Sequence, residues 1–264
     1  MNLISWNYRG LGNPRTVQEV ASLVKRYNPL ILFLSETKRK SGEMEWLRSR
    51  WGFENCSTVD SVGRSGGLVL LWRQEVSLEI LSYSNHHIDA QIGNTNNRED
   101  WRFTGFYGDP VTRLRCRSWE LMLQLYRSCT LPWLYAGDFN EVMSENEKLG
   151  GAKRPSKQMK DFRRMSMKCY LQEVPFSGPK FTWSRGKGSK MILERLDRGL
   201  ANEEWFLLFP MAKEIYLSAF FFYHSPLLFH VSRQPWQDGR TKRPFRFKNM
   251  WVQHSGCEGL VKDG

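Results

Sequence analysis

The chain has 264 residues, 41% of them apolar and 25% charged, so it is long enough for one large globular domain and too apolar for a disordered polymer. A 14% aromatic fraction with 11 Trp points to broad β-surfaces and excludes an all-helical bundle as the natural reading. Lys and Arg number 39 against 27 acidic residues, and the net charge of +12 favours a polyanionic partner, with a merely solvated basic surface as the bland alternative.

In chain order, Met1 to Trp6 reads as a short strand. Asn13 can cap a following helix whose first turn holds Pro14 and whose apolar stripe is Val17, Val20, Leu23 and Val24. The run from Pro29 to Ser35 is a buried strand, and Glu36 and Thr37 fall at its end. From Gly52 to Tyr107, segments around 67–72, 76–83, 87–92 and 101–107 alternate with Gly, Asn and Ser as in an antiparallel meander. A helix over 115–127, a buried strand over 131–136 and a helix over 156–168 capped by Ser156 come next, then strands near 180–184, 215–217 and 227–232. This order predicts an α/β fold of two sheets packed face to face and flanked by helices, spanning residues 1–232. Residues 233–264, rich in Arg and Lys, read as a basic linker or nucleic-acid-contacting tail.

Cys56, Cys116, Cys129, Cys169 and Cys257 are odd in number and contain no C-x-x-C pair, so neither a disulfide framework nor a zinc knuckle is indicated. With no apolar run of membrane-spanning length and no leader pattern, the expectation is a soluble protein of a reducing, intracellular compartment.

Four polar segments sit where strands should end: Trp6-Asn7, Glu36-Thr37, the run from Gly137 to Glu141, and the run from Arg195 to Arg198. A hard cation such as Mg²⁺ prefers carboxylate and amide oxygens, so Glu36 with Asn7 could hold it against a phosphate. Taken singly, a Glu or Asn after a strand is as readily a cap or a turn residue. Asp138 and Asn140 carry more: two apart after an apolar strand, they would face the same side, one polarising water and the other binding a phosphate oxygen. His224, after the apolar run Ala219 to Tyr223, would alone read as a core histidine.

In the order Asn, Glu, Tyr, Asp-x-Asn, Asp, His, the segments SWNYRGLGNPRT, LFLSETK, DSVGRSGGLVLLW, TGFYGDP, LPWLYAGDFNEV, FSGPKFTW, RLDRGLAN and HSPLL resemble the endonuclease/exonuclease/phosphatase family over nearly the whole chain. The likeness is greatest to the endonuclease domain of plant LINE-type, non-LTR retrotransposons. It implies a four-layered, DNase I-like α/β sandwich and a Mg²⁺-dependent enzyme, with Mn²⁺ also serving, that nicks DNA hydrolytically. It also implies a nuclear location, and a monomer is assumed. By resemblance, Asn7 and Glu36 carry the metal and Tyr107 contacts the scissile phosphate. Asp138 activates or orients the attacking water, Asn140 stabilises the phosphorane-like transition state, and Asp197 hydrogen-bonds His224.

Two positions depart from the family pattern. The Ser-Asp-His sequence is replaced by Phe222-Tyr223-His224, which removes a carboxylate that helps bind metal; losing such a ligand typically lowers affinity or activity about 10–100-fold. Tyr8 stands where the retrotransposon domains carry Cys. The tail resembles the region preceding a reverse transcriptase, as in a remnant or fragment of a longer reading frame. The alternatives to an active endonuclease are therefore a catalytically inactive DNA-binding remnant and, less favoured, a small-molecule phosphatase of the same fold.

Overall fold

The computed structural model describes residues 1–10, 14–63, 65–93, 100–128, 130–218 and 223–232. The expected Asn13 cap, the aromatic run before Tyr223 and the basic tail lie outside them.

In chain order the elements are β1 (Asn2–Asn7), α1 (Pro14–Tyr27), β2 (Ile31–Ser35), α2 (Ser41–Trp51), β3 (Asn55–Val62), β4 (Ser65–Trp72), β5 (Ser77–Ser84), β6 (His87–Gly93) and β7 (Trp101–Tyr107). They continue with α3 (Arg115–Ser128), β8 (Trp133–Asp138), β9 (Lys148–Leu149), α4 (Ser156–Lys168), β10 (Gln172–Glu173), β11 (Phe176–Ser177) and β12 (Trp183–Arg185). The last are β13 (Ile192–Glu194), β14 (Asp197–Ala201), α5 (Glu203–Leu208), β15 (Lys213–Tyr216) and β16 (Leu227–His230).

Among the described residues, two mixed sheets form the frame. One has the order β11-β15-β16-β1-β2-β4-β3, the other β10-β14-β8-β7-β6-β5, and β12-β13-β9 make a small third sheet. Strand alternation sorts the side chains into layers. On β2, Ile31 and Phe33 join Leu68, Leu70, Ile88, Phe103, Leu134 and Ala136 in the core between the sheets. Leu32 and Leu34 face the other way, against Val20 and Val24 of α1 and Met44, Leu47 and Trp51 of α2. That is why β2 reads as an unbroken apolar run: both its faces are buried. On the far side, Phe106, Trp133 and Tyr135 pack on Trp119, Met122 and Leu125 of α3 and Phe162 of α4. Helix, sheet, sheet, helix is the four-layered α/β sandwich.

Three local expectations are corrected. The meander is not one unit: β3 and β4 pair in the first sheet, where β4 also lies against β2, and only β5, β6 and β7 run as consecutive antiparallel neighbours in the second. A polar turn after Trp72 carries the chain from one sheet to the other, which alternation within each strand does not reveal. Ser156 is the first residue of α4 and Pro155 its cap position. The strands expected near 180–184 and 215–217 leave out β13 and β14: β13 ends at Glu194, just before the segment from Arg195 to Arg198, and Asp197 opens β14, with Arg198 beside it turning into an ion-pair network with Glu147 and Glu173.

Candidate active site

Two parallel strand pairs, one from each sheet, end at the same edge. In the first sheet Asn7 of β1 is in register with Ser35 of β2, so Asn7 and Glu36 emerge side by side. In the second, Tyr107 of β7 is in register with Asp138 of β8, and antiparallel β14 sets Asp197 against Asp138. Carboxyl ends of parallel strands are the usual place for ligands in α/β proteins, and here the topology of both sheets delivers polar groups to one such edge.

The side chains then interlock. Asn7 donates through Nδ2 to Asp138 Oδ2 at 2.7 Å and to Glu36 Oε1 at 3.3 Å. The Tyr107 hydroxyl donates to the same Glu36 oxygen at 2.8 Å. His224 Nδ1 lies 3.1 and 2.9 Å from the two Asp197 oxygens, and its Nε2 faces Asp138 Oδ2 at 3.9 Å, too far for a hydrogen bond. Asp138 Oδ1 accepts from the Asn140 backbone N–H at 2.7 Å. Asp138 and Asp197 are each only 1% exposed.

Burial fixes the charges. It pushes the Asp138 pKa up, helped by the nearby Asp197 carboxylate and opposed by His224, the Asn140 N–H and Asn7. Burial works against a charged His224, but the carboxylates of Asp197 and Asp138 outweigh it and raise the imidazole above its ordinary pKa. The Tyr107 phenol is pushed far up by burial and by Glu36 and Asp138, so it stays a neutral donor. An imidazole whose charged form is favoured, three carboxyl groups, an amide and a neutral phenol thus share one small volume.

The strand ends hold these groups in conformations that carry strain. Glu36 and Asn140 have φ of 53° and 54°, and Arg9 and Lys38 beside them 44° and 53°, all in the left-handed region. Such backbone strain concentrates at functional sites and persists only where the surroundings impose it. Two glycines do so. Gly137, with φ 150°, precedes Asp138 so closely to the Phe106 carbonyl that a Cβ would stand 2.0 Å from its oxygen. Gly67 of β4 accepts from Thr37 N and lies against the Thr37–Lys38 bend.

The family model of the endonuclease/exonuclease/phosphatase family matches residues 4–218, a span that contains each of these groups except His224. The chain belongs to the endonuclease/exonuclease/phosphatase family. No curated protein sequence matches it. The endonuclease domain of TRAS1, a telomere-specific non-LTR retrotransposon, is similar in fold at a TM-score of 0.66 and 12% identity, over 89% of this chain and 99% of that one. AP endonuclease LMAP from Leishmania major gives 0.68 and 13%, over 89% and 88%. The 3′ phosphatase NExo from Neisseria, solved with a product DNA hairpin, gives 0.67 and 15%, over 88% and 99%.

Of the family positions expected from the sequence, Asn7, Glu36, Tyr107, Asp138, Asp197 and His224 converge by side chain. Asn140 arrives differently. It does not extend the alternation of β8; its left-handed backbone closes a turn onto the Asp138 carboxylate, and its amide donates to the Gly108 carbonyl at 2.9 Å. Tyr223 is 51% exposed, with the Arg9 guanidinium 4.9 Å from its ring centroid. Buried Tyr8 belongs to the core beneath α1.

Sequence reasoning gave no role to several residues that hold this cluster together. Thr182 Oγ1 accepts from the backbone N–H groups of Leu196 and Asp197, and the Thr182 carbonyl accepts from Ser225 N, so one residue fixes both partners of the Asp197–His224 pair. The Trp6 indole donates to the His224 carbonyl at 3.0 Å. The TW pair inside FSGPKFTW was the available signal for Thr182; for Arg9, a lone basic residue in a turn, there was none.

Proposed function

We propose that this chain is a divalent-metal-dependent phosphodiesterase that nicks DNA by hydrolysis and leaves a 3′-hydroxyl. The observation that carries the reading is the convergence of Glu36, Asn7, Asp138, Asp197 and His224 at one edge of both sheets. The net charge of +12 suits a polyanionic substrate, and the motif resemblance favours a retrotransposon-type endonuclease acting on nuclear DNA.

The donor set fits a hard cation. Glu36 and Asn7 supply a carboxylate and an amide oxygen, the ligand types that Mg²⁺ and Mn²⁺ prefer, and holding the ion would require the Asn7 amide to turn its oxygen from the Arg9 N–H towards Glu36. Asp138, Asp197 and His224 also place ligand atoms within 4.8 Å of one another. An imidazole whose charged form is favoured by neighbouring carboxylates makes a poorer ligand than a neutral one, so the Glu36 and Asn7 side is the better assignment. When bound, the ion would neutralise charge on the phosphate.

The chain's own residues do the rest. Asp197 orients the imidazole through Nδ1 and keeps it charged, so Nε2 can donate to a phosphoryl oxygen as negative charge builds there. Asp138, raised in pKa and aimed by Asn7 and Asn140, accepts the proton of the attacking water. That water oxygen forms the new bond to phosphorus, the 3′-oxygen leaves, and a proton returns to it. Tyr107 steers Glu36 and presents a neutral hydroxyl to the phosphate.

The test is conversion of supercoiled plasmid to nicked circles with Mg²⁺ by the wild type, Glu36→Gln and His224→Ala. Nicking by the wild type and loss in both variants supports the proposal; equal activity in all three overturns it. Tyr223 favours a second reading, an inactive DNA-binding remnant, for which the wild type would bind plasmid without nicking it.

A further inference from the structure

Arg9 and Tyr223 take no part in the catalytic steps above, yet they touch one another beside Glu36. The Arg9 guanidinium stands over the Tyr223 ring at 4.9 Å, while its Nε is 3.6 Å from Glu36 Oε2. The Arg9 side chain is 43% exposed, in contrast to the buried groups behind it. Its backbone N–H donates to Asn7 Oδ1 at 3.3 Å, and its φ of 44° is a conformation the surroundings must impose.

This arrangement leaves donors to spare. A guanidinium stacked on an aromatic face keeps its edge N–H groups directed outward in the plane, the geometry that suits a phosphate oxygen. The contact with Glu36 is longer than a hydrogen bond and consumes none of those donors. A carboxylate at position 223 would pair with Arg9 and cancel its charge. A phenol ring holds the cation by its quadrupole and leaves the charge available.

Resting on the phosphodiesterase reading, we propose that Arg9 is a substrate-binding residue that clamps a backbone phosphate at the mouth of the site, and that Tyr223 is the platform that positions it. The exchange of Asp for Tyr at position 223 is then linked to an Arg two residues after Asn7, and the two act as one unit.

The experiment is binding of a duplex oligonucleotide in EDTA, followed by fluorescence anisotropy over a range of NaCl concentrations. It compares the wild type with Arg9→Asn, Tyr223→Phe, Tyr223→Ala and the double variant Arg9→Asn/Tyr223→Ala. Asn tolerates left-handed φ, so the first variant keeps the turn. Loss of one phosphate contact lowers the slope of log K against log salt by about 0.9 and weakens binding about ten-fold near 0.1 M salt. Tyr223→Phe binds as the wild type does, Tyr223→Ala binds roughly three- to five-fold more weakly, and the double variant is no weaker than Arg9→Asn alone. An unchanged slope in Arg9→Asn, or an equal effect of Tyr223→Ala with and without Arg9, overturns the inference while leaving the nuclease reading intact. A wild type with no salt-dependent DNA binding overturns both.

Discussion

His224 meets Asp197 through Nδ1 at 2.9 Å, so this carboxylate orients the imidazole and is the largest of the contributions that favour its charged form. Asp197→Asn keeps the shape and removes that charge, lowering the His224 pKa. The nicking rate is expected to fall at least about 100-fold, the usual scale for a displaced or mis-protonated acid–base group. A rate within a few-fold of the wild type would show that the imidazole acts without its partner.

Divalent metal should stabilise the fold as well as support turnover. A ligand bound only by the native state at a hundred-fold excess over its Kd adds about 2.7 kcal/mol. Thermal unfolding of the wild type is therefore expected to shift upward in Mg²⁺ or Mn²⁺. Glu36→Gln, which keeps an acceptor for Tyr107 and Asn7 but loses the charge, should shift little. Equal shifts in both proteins would place the ion elsewhere.

Gly67 shapes the bend that carries Glu36. A Cβ there would meet Thr37 Oγ1 at 2.5 Å and Lys38 N at 3.1 Å, with φ at 86°. Gly67→Ala is expected to cost about 1–3 kcal/mol in urea unfolding and to lower activity through Glu36 rather than through DNA affinity. Unchanged stability would mean that the bend yields freely.

His87 supplies a pH signature remote from the chemistry. Burial pulls its pKa down to about 4 from an ordinary 6.5, against a smaller upward pull from Asp89, and with Arg102 and His86 also lowering it. Ser82 and Ser84 hydroxyls flank its two ring nitrogens at 3.0 and 2.8 Å. The unfolded chain binds this proton first as pH falls, so the stability is full above the ordinary value and is lost on the way down towards the folded one. Relative to His87→Gln, the wild type should lose about 2 kcal/mol between neutral pH and about pH 5 in urea unfolding. A parallel pH profile for the two proteins would contradict this.

Much of the fold was legible because its strongest signals are periodic. The doubly buried β2 shows as a continuous apolar run, and the stripe of α1 recurs at helical spacing. Helix α2 was missed although Met44, Leu47 and Trp51 recur at helical spacing, because the exposed Trp46 and the interleaved Gly, Glu and Arg blur the stripe. The division of strands between two sheets was hidden for a related reason: local alternation is the same whichever sheet a strand joins. At the site, residue types were readable from motifs, but the side-by-side exit of Asn7 and Glu36 depends on parallel register, a long-range property. Asn140 was placed by strand alternation although the strand ends at Asp138, where a left-handed turn takes over.

The central claim is that groups scattered along the chain act as one catalytic unit. A double-mutant cycle on single-turnover DNA nicking, with Glu36→Gln, His224→Ala and the two combined, tests it most directly. Residues that act as a unit are grossly non-additive: each single variant should fall to nearly the same low rate, with the double variant scarcely lower. Losses that simply multiply, or a variant that nicks at the wild-type rate, would contradict the account.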